Sequence, residues 1–315
     1  MPSSKNILVV GLGSIAKKHI DALYKINPNY TIYALRSDRQ SKPYTTSNGL
    51  EVQNLYNLED IAEIDLDFAM ITNPTSAHYS TINSLSCFNI PLFIEKPLFD
   101  TIQNERDSQL IKNLEKRNIL TYVAYVLRFH PGIQFLKELV SEGELKKIEE
   151  VTVYSGSYLP DWRPNQDFRK SYSADSKLGG GVHLDLSHEI DYILWLFGKP
   201  ESKYSVVGNS SSLKISAVDS ATYLLRYSDF QVSVQLNYYR KIKQRFIEIV
   251  CEDHIWKLDF IENKLYKDNL VIKTYTFSFE ELYKSQLEYF IGLIKNNLSG
   301  MNSISESYEI LKIVL

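Results

Sequence analysis

Residues 6–16 read NILVVGLGSIA, an apolar run that stops at Gly11 and gives way to helical periodicity from Ser14 to Ile26. The G-x-G-x-x-G/A pattern is common in loops, but between a strand and a helix it predicts a dinucleotide site. Gly11 permits the tight turn, Gly13 lets backbone approach a pyrophosphate, and Ala16 allows close helix packing. Ser14 and Ile15 stand in the first helical turn, whose unpaired N–H groups and partial positive charge suit phosphates.

Working outward, strand-like runs at Thr31–Leu35, Phe68–Thr72 and Leu92–Glu95 alternate with helical stretches near 77–87 and 102–117, before the run LTYVAYVLRF (120–129). Such β-α alternation predicts an α/β fold built on a parallel sheet with right-handed crossovers. Past about residue 147 the texture changes to IEEVTVYSGSYL, ATYLLRYS, FQVSVQLNYY, RFIEIVCED, HIWKLDF and NLVIKTYTF, joined by short polar turns. These predict antiparallel hairpins in one open sheet, with helices from about Val182, at 279–296 and at 304–314. The expected division is a dinucleotide-binding Rossmann domain over 1–122 and a substrate-binding and oligomerisation α+β domain over 123–315.

Composition narrows the function. The 315 residues carry a net charge of −3, with 44% apolar and 23% charged residues, which suits a globular chain and not a disordered one. No basic block stands out, so nucleic acid is not the expected partner, and a small-molecule ligand is. No signal-peptide pattern or bilayer-length apolar run is present, which predicts a cytoplasmic protein with no membrane partner. Cys87 and Cys251, without metal-ligand spacing, read as buried thiols in a reducing compartment.

About 20 residues beyond the glycines, where an acid would bind a ribose hydroxyl, the chain has YALRSD. Arg36 beside Ser37 suits a 2′-phosphate better than free hydroxyls, favouring NADP over NAD, with Asp38 as the alternative ribose ligand. Two further loops fall where parallel strands end and ligands gather: ITNPTSAH (71–78), with Asn73 and Pro74, and FIEKP (93–97), with Lys96.

The stretch GGGVHLDLSHEIDYILWLFG (179–198) predicts one helix from Val182 to Phe197. Its apolar face holds Leu186, Ile190, Ile193, Leu194 and Phe197; Asp185, His188, Glu189 and Tyr192 occupy the opposite face, with Asp185 and His188 as i, i+3 neighbours. That polar side either meets water or serves chemistry. Hydride exchange at an alcohol carbon needs an acid/base for the hydroxyl proton, a role for His188; Asp185 would orient it or bind a hydroxyl, and Lys96 would stabilise charge on oxygen. His183 reads as a pocket or packing residue, and metal binding is the minor alternative.

Together GLGSIA, NPTSAH, EKP, RFHP (128–131), DWR (161–163) and GGGVHLDLSHEID resemble the Gfo/Idh/MocA family, the glucose–fructose oxidoreductase and inositol dehydrogenase relatives, over essentially the whole chain. The resemblance implies NAD(P)-dependent redox chemistry on sugars or polyols. It implies Lys96, Asp185 and His188 as catalytic residues, and cofactor contacts that extend to His78, Glu95, Trp162, Arg163 and Tyr283. Two departures stand out: Asp185 and His188 are three apart where many members have four, and Val126 replaces a frequent Asn. The variant also resembles members of bacterial surface-sugar clusters, which suggests a nucleotide-linked or acidic sugar met by Arg128, Arg163, Arg169 and Lys170. The alternative is an NAD(P)-binding sensor on the same fold. An open sheet with an apolar-aromatic face predicts a homodimer or homotetramer.

Overall fold

The computed structural model describes residues 5–315. In chain order the elements are β1 (Asn6–Val10), α1 (Ser14–Ile26), β2 (Thr31–Leu35), β3 (Tyr44–Thr45), β4 (Glu51–Leu55), β5 (Leu66–Ile71), α2 (His78–Leu85), β6 (Leu92–Ile94), α3 (Asn104–Lys116) and β7 (Thr121–Val123). There follow α4 (Pro131–Glu142), β8 (Ile148–Tyr158), α5 (Val182–Asp185), α6 (His188–Phe197), β9 (Ser202–Gly208), β10 (Ser220–Arg226), β11 (Gln231–Asn237) and β12 (Tyr239–Cys251). The chain closes with β13 (Ile255–Asp259), β14 (Lys264–Lys267), β15 (Leu270–Thr274), α7 (Phe279–Asn296) and α8 (Ile304–Val314).

Two units form. The first runs to Val126 and takes back Ser278–Glu309; the second is Leu127–Phe277 with Ile310–Leu315. This division departs from a single break near residue 122, because α7 packs on α1 inside the first unit. A capping box starts α7: Ser278 Oγ accepts from the Glu281 N–H, and the Glu281 carboxylate accepts from the Ser278 N–H.

In the first unit seven strands run β3-β4-β2-β1-β5-β6-β7, all pairs parallel except β3 with β4. Ile7, Leu8 and Val9 have no exposed surface, as a sheet covered on both faces requires. The chain leaves β1 toward β2 on one side and resumes at β5 on the other. Between β1 and β5, then, lies the switch point outside whose strand ends ligands bind.

In the second unit eight strands run β15-β14-β13-β12-β8-β11-β10-β9, antiparallel except for β11 beside β8. Alternation sends Val151, Val153, Val232, Val234, Ile247 and Ile249 into the core. The opposite face is less apolar than expected: one register row carries Leu224, Ser233, Thr152, Glu248 and Lys257, while Tyr154 and Phe246 stack at 6.0 Å in the next. Pairing of β12 with β8 breaks between Tyr239 and Gln244, where five steps on β12 oppose two on β8. Cys251 is buried, but Cys87 is exposed, contrary to the expected pair of buried thiols, because α2 ends before it in a surface turn where its Sγ meets the Ser84 carbonyl.

Candidate active site

At the end of β1, Gly11 has φ +82° and its N–H donates to the Leu35 carbonyl at 3.1 Å. A Cβ there would stand 2.8 Å from Asn73 Cα, so glycine is required twice, by conformation and by space. Gly13 differs: it caps α1 with φ −80°, and a Cβ on it would meet nothing within 4 Å. No side chain caps α1, which leaves the N–H groups after Gly13 directed at this open space. Thr72 secures the turn from β5, its hydroxyl donating to the Val10 and Gly11 carbonyls at 2.9 and 2.8 Å. Asn73 Nδ2 donates to Thr81 Oγ1, while its Oδ1 is buried with no partner among the described residues.

His78 does not present its ring to a ligand. It is 1% exposed, with Nδ1 3.1 Å from the Pro97 and Leu98 carbonyls and Nε2 3.0 Å from that of Asn73. One imidazole thereby ties the loop after β5 to the loop after β6 and sets their spacing. Burial pushes its pKa below the usual value, against the pull of the carbonyls. In the second loop Glu95 accepts from its neighbour's backbone, the Lys96 N–H, at 3.2 Å, and its other oxygen lies 2.5 Å from His19 Nε2. His19, buried on α1, stands edge-on to Phe93 and Tyr283. Tyr283 is thus a wall behind Glu95, its hydroxyl pushed up to about 12 by burial and by the Glu95 charge. Arg36 follows β2, its guanidinium donating to the Lys42 carbonyl at 2.8 Å; Ser37 and Asp38 beside it are exposed.

In the second unit the expected single helix is two. α5 stops at Asp185, Leu186 and Ser187 turn, and α6 starts at His188; the Ser187 hydroxyl donates to the Leu184 carbonyl within the break. Asp185 and His188 therefore end one helix and start the next, on either side of a turn, instead of lying within one continuous helix. The entry is tight: a Cβ on Gly181, at φ +141°, would stand 2.6 Å from His183 Cε1. His183 is buried as a packing residue, its pKa lowered to about 4 by desolvation. Asp185 Oδ2 accepts from the Tyr238 hydroxyl at 2.5 Å, and burial with this carboxylate nearby raises the Tyr238 pKa.

Apart from the half-buried His188, the polar side of α6 does not meet water. Asp191 is fully buried and takes Arg128 side-on, with contacts of 2.7 to 3.2 Å. Glu189, equally buried, accepts from Arg245 Nε at 2.7 Å. Arg128, expected to face an acidic substrate, is 1% exposed and spent on Asp191, because a buried carboxylate demands a counter-charge. Tyr238 and Arg245, the partners of Asp185 and Glu189, were missed by sequence reasoning, since no local period links residues more than 50 positions apart.

A cavity of about 440 Å³ opens beside the turn, lined by Ser155, Gly156, Ser157, Trp162, Arg163, Leu186, Lys243, Gln244 and Arg245. Trp162 Nε1 donates to Ser157 Oγ at 2.9 Å and its ring stands edge-on to Tyr238. Among the predicted residues the structure thus gathers Gly11, Gly13, Asn73, Pro74, Glu95 and Lys96 on loops at strand ends of the first unit, with Ser14 and Ile15 in the first turn of α1. It gathers Trp162, Arg163, Asp185 and His188 in the second. No group of three metal-ligating side chains occurs among the described residues, and no helix among them is long and apolar enough to cross a membrane.

A nucleotide turn at a parallel-sheet switch point, followed by an open antiparallel sheet, defines the class of two-domain dehydrogenase-like proteins. Residues 5–125 match the oxidoreductase family with the NAD-binding Rossmann fold and residues 133–256 match the GFO/IDH/MocA C-terminal domain, so the chain belongs to the Gfo/Idh/MocA family. A relative called uncharacterized oxidoreductase YrbE, from Bacillus subtilis, is 23% identical over 72% of this chain and 64% of its own length. The galactose/lactose metabolism regulatory protein GAL80 of Kluyveromyces lactis is 26% identical over 63% of this chain and 47% of its own. Among solved structures, scyllo-inositol dehydrogenase from Lactobacillus casei superposes with a TM-score of 0.78 at 19% identity, covering 99% of this chain and 95% of that one. The WlbA dehydrogenase from Bordetella pertussis, in complex with NADH and UDP-GlcNAcA, gives 0.79 at 17% identity, covering 98% and 93%.

Proposed function

We propose that the protein is an NAD(P)-dependent oxidoreductase that moves hydride to or from a secondary alcohol or ketone of a sugar or sugar derivative. The observation that carries this is the contrast at the first turn: Gly11 is closed against Asn73, whereas Gly13 opens on empty space in front of uncapped helix N–H groups. That cradle fits a pyrophosphate. The partnerless Asn73 Oδ1 and the Glu95–Lys96 loop stand at neighbouring strand ends, where the remainder of a nicotinamide cofactor would be held. When bound, the cofactor supplies or accepts the hydride; the chain's own residues handle the oxygen and its proton.

Lys96 stabilises negative charge on the substrate oxygen, His188 exchanges the hydroxyl proton, and Asp185, fixed by the Tyr238 hydroxyl, holds a neighbouring hydroxyl. Arg36 replaces the acid that would bind a free ribose, which favours NADP, with NAD as the alternative. Nucleotide-linked and acidic sugars are the favoured substrates.

The test is absorbance at 340 nm with NADP or NAD against a panel of polyols, sugars and nucleotide sugars, beside Lys96→Ala and His188→Asn. Turnover lost in both variants with cofactor binding retained supports the enzyme. A second reading, an NAD(P)-binding regulator on this fold, draws on the GAL80 likeness. Cofactor binding with no turnover on any of the panel would favour it.

A further inference from the structure

We propose that the cavity beside Leu186 is a specificity subsite for an oxyanion, a carboxylate or phosphate group carried by the sugar substrate, and that Arg163, Lys243 and Arg245 hold it. This rests on the reading of the chain as an oxidoreductase of acidic or nucleotide-linked sugars and adds the residues that hold the substrate's charge.

Residues 240–245 read RKIKQR, four cations in six positions. An unbroken antiparallel pairing would send alternate side chains of this run to opposite faces of the sheet. Lys243 and Arg245, two apart, share one side of the strand, and the register break between Tyr239 and Gln244, which accommodates three residues more on β12 than on β8, sets them off from Arg240 and Lys241. Two of the cations are turned to aromatic faces. Arg240 donates to the Tyr154 hydroxyl at 3.1 Å, and Lys241 lies over the Tyr158 ring at 3.1 Å. The other two, Lys243 and Arg245, line the cavity, where Arg163 joins them from the segment after Trp162.

No carboxylate is among the described residues that line this cavity. Glu189 is met by Arg245 Nε, and Arg163 and Lys243 bring their charge to a cavity with no carboxylate in its lining. Arg245 Nη2 is buried without a hydrogen-bond partner among the described residues, a donor already desolvated beside the space an anion would fill. Ser157 Oγ accepts from Trp162, so its own hydroxyl proton remains to be given, and Ser155 lies directly across the strand pair from Arg245. Converging cations with hydroxyl donors and an exposed indole face are the chemistry of an anionic sugar and not of a neutral polyol.

The turn from Asp185 to His188 places Leu186 in the same cavity wall, so an anion here would lie beside those two residues. Asp185 is held by the Tyr238 hydroxyl, which limits its repulsion of the incoming charge.

The experiment is calorimetric titration of the full chain, without nicotinamide, using three probes: UDP, glucuronate and myo-inositol. It is repeated with Lys243→Ala, Arg163→Ala and the control Lys199→Ala. Loss of one charge-assisted contact should weaken anion binding about tenfold or more in each of the first two variants and leave the control unchanged. Binding of UDP alone assigns the anion to a phosphate, and binding of glucuronate alone assigns it to a carboxylate. Failure of both anions to bind, equal binding in all variants, or binding of myo-inositol in preference to either overturns the proposal. Arg245→Ala is avoided because it would strand Glu189. Variant-sensitive anion binding without any nicotinamide-dependent turnover would keep the subsite and sink the oxidoreductase reading; turnover of a neutral polyol without anion binding would do the reverse.

Discussion

Gly11 and Gly13 are two residues apart in one motif, yet alanine should act on them in opposite ways. At Gly11, a left-handed backbone costs a Cβ-bearing residue roughly 1–2 kcal/mol. The new methyl would also lie 2.8 Å from a backbone atom, Asn73 Cα, which cannot swing aside as a side-chain tip would; overpacking of this kind adds roughly 1–3 kcal/mol. Gly11→Ala should therefore destabilise the protein by roughly 2–5 kcal/mol, a fall in Tm on the order of 10 °C. At Gly13 the backbone is ordinary and the space empty, so alanine should leave Tm unchanged or raise it slightly, by at most about 1 kcal/mol in stability. Its methyl would instead occupy the approach to the helix N–H groups and weaken NADPH binding at least about tenfold. Thermal melts and fluorescence titrations of both variants check this. A Gly11→Ala protein with wild-type Tm, or a Gly13→Ala protein with wild-type NADPH affinity, would refute the assignment of roles.

Arg128→Met strands Asp191 in the core and should cost roughly 3–5 kcal/mol in urea unfolding, much of it recovered in Arg128→Met/Asp191→Leu; an unaffected single variant would contradict the buried pair. Acid should unfold the protein early, because His130 and His183 resist protonation until about pH 4 when folded yet take up protons near pH 6.5 when unfolded. Between those values the unfolded chain binds more protons, so stability drops as pH is lowered, by up to roughly 3 kcal/mol for each histidine; a flat Tm from pH 7 to 5 would count against it. His188→Asn should lower kcat about 10²- to 10⁴-fold while the cofactor still binds, measured by paired kinetics and titration. The sheet face bearing Tyr154, Phe246 and Leu224 should be covered by a second copy of the chain, and light scattering at micromolar concentration should report a dimer or tetramer; a monomer would refute it.

The nucleotide half was legible because β1 is an unbroken apolar run, α1 carries a helical period and a glycine turn marks the junction; both run over the residues expected, Asn6–Val10 and Ser14–Ile26. The ends of α7 and α8 were legible for the same reason. Short or weakly alternating strands were not: β3 has two residues, and most of β9 is exposed, so neither shows a period. The break at Leu186–Ser187 was invisible because the helical spacing of apolar residues carries straight through it. The polar side of the 182–197 stretch was open between a solvated face and a chemical one, and its third role, buried ion pairing, was not legible because the partners Arg128 and Arg245 come from other parts of the chain. The RKIKQR run was not read as a basic block, because it straddles the junction between two strand-like runs; only in the structure is it continuous on β12, with Lys243 and Arg245 lining a cavity.

The most direct test of the central claim is a fluorescence titration of cofactor-free protein with NADPH and NADH, repeated with Arg36→Ala. Saturable binding of NADPH, tighter than that of NADH and weakened toward it in Arg36→Ala, is the predicted result. Equal affinity for both would remove the phosphate preference, and binding of neither would contradict the oxidoreductase assignment itself.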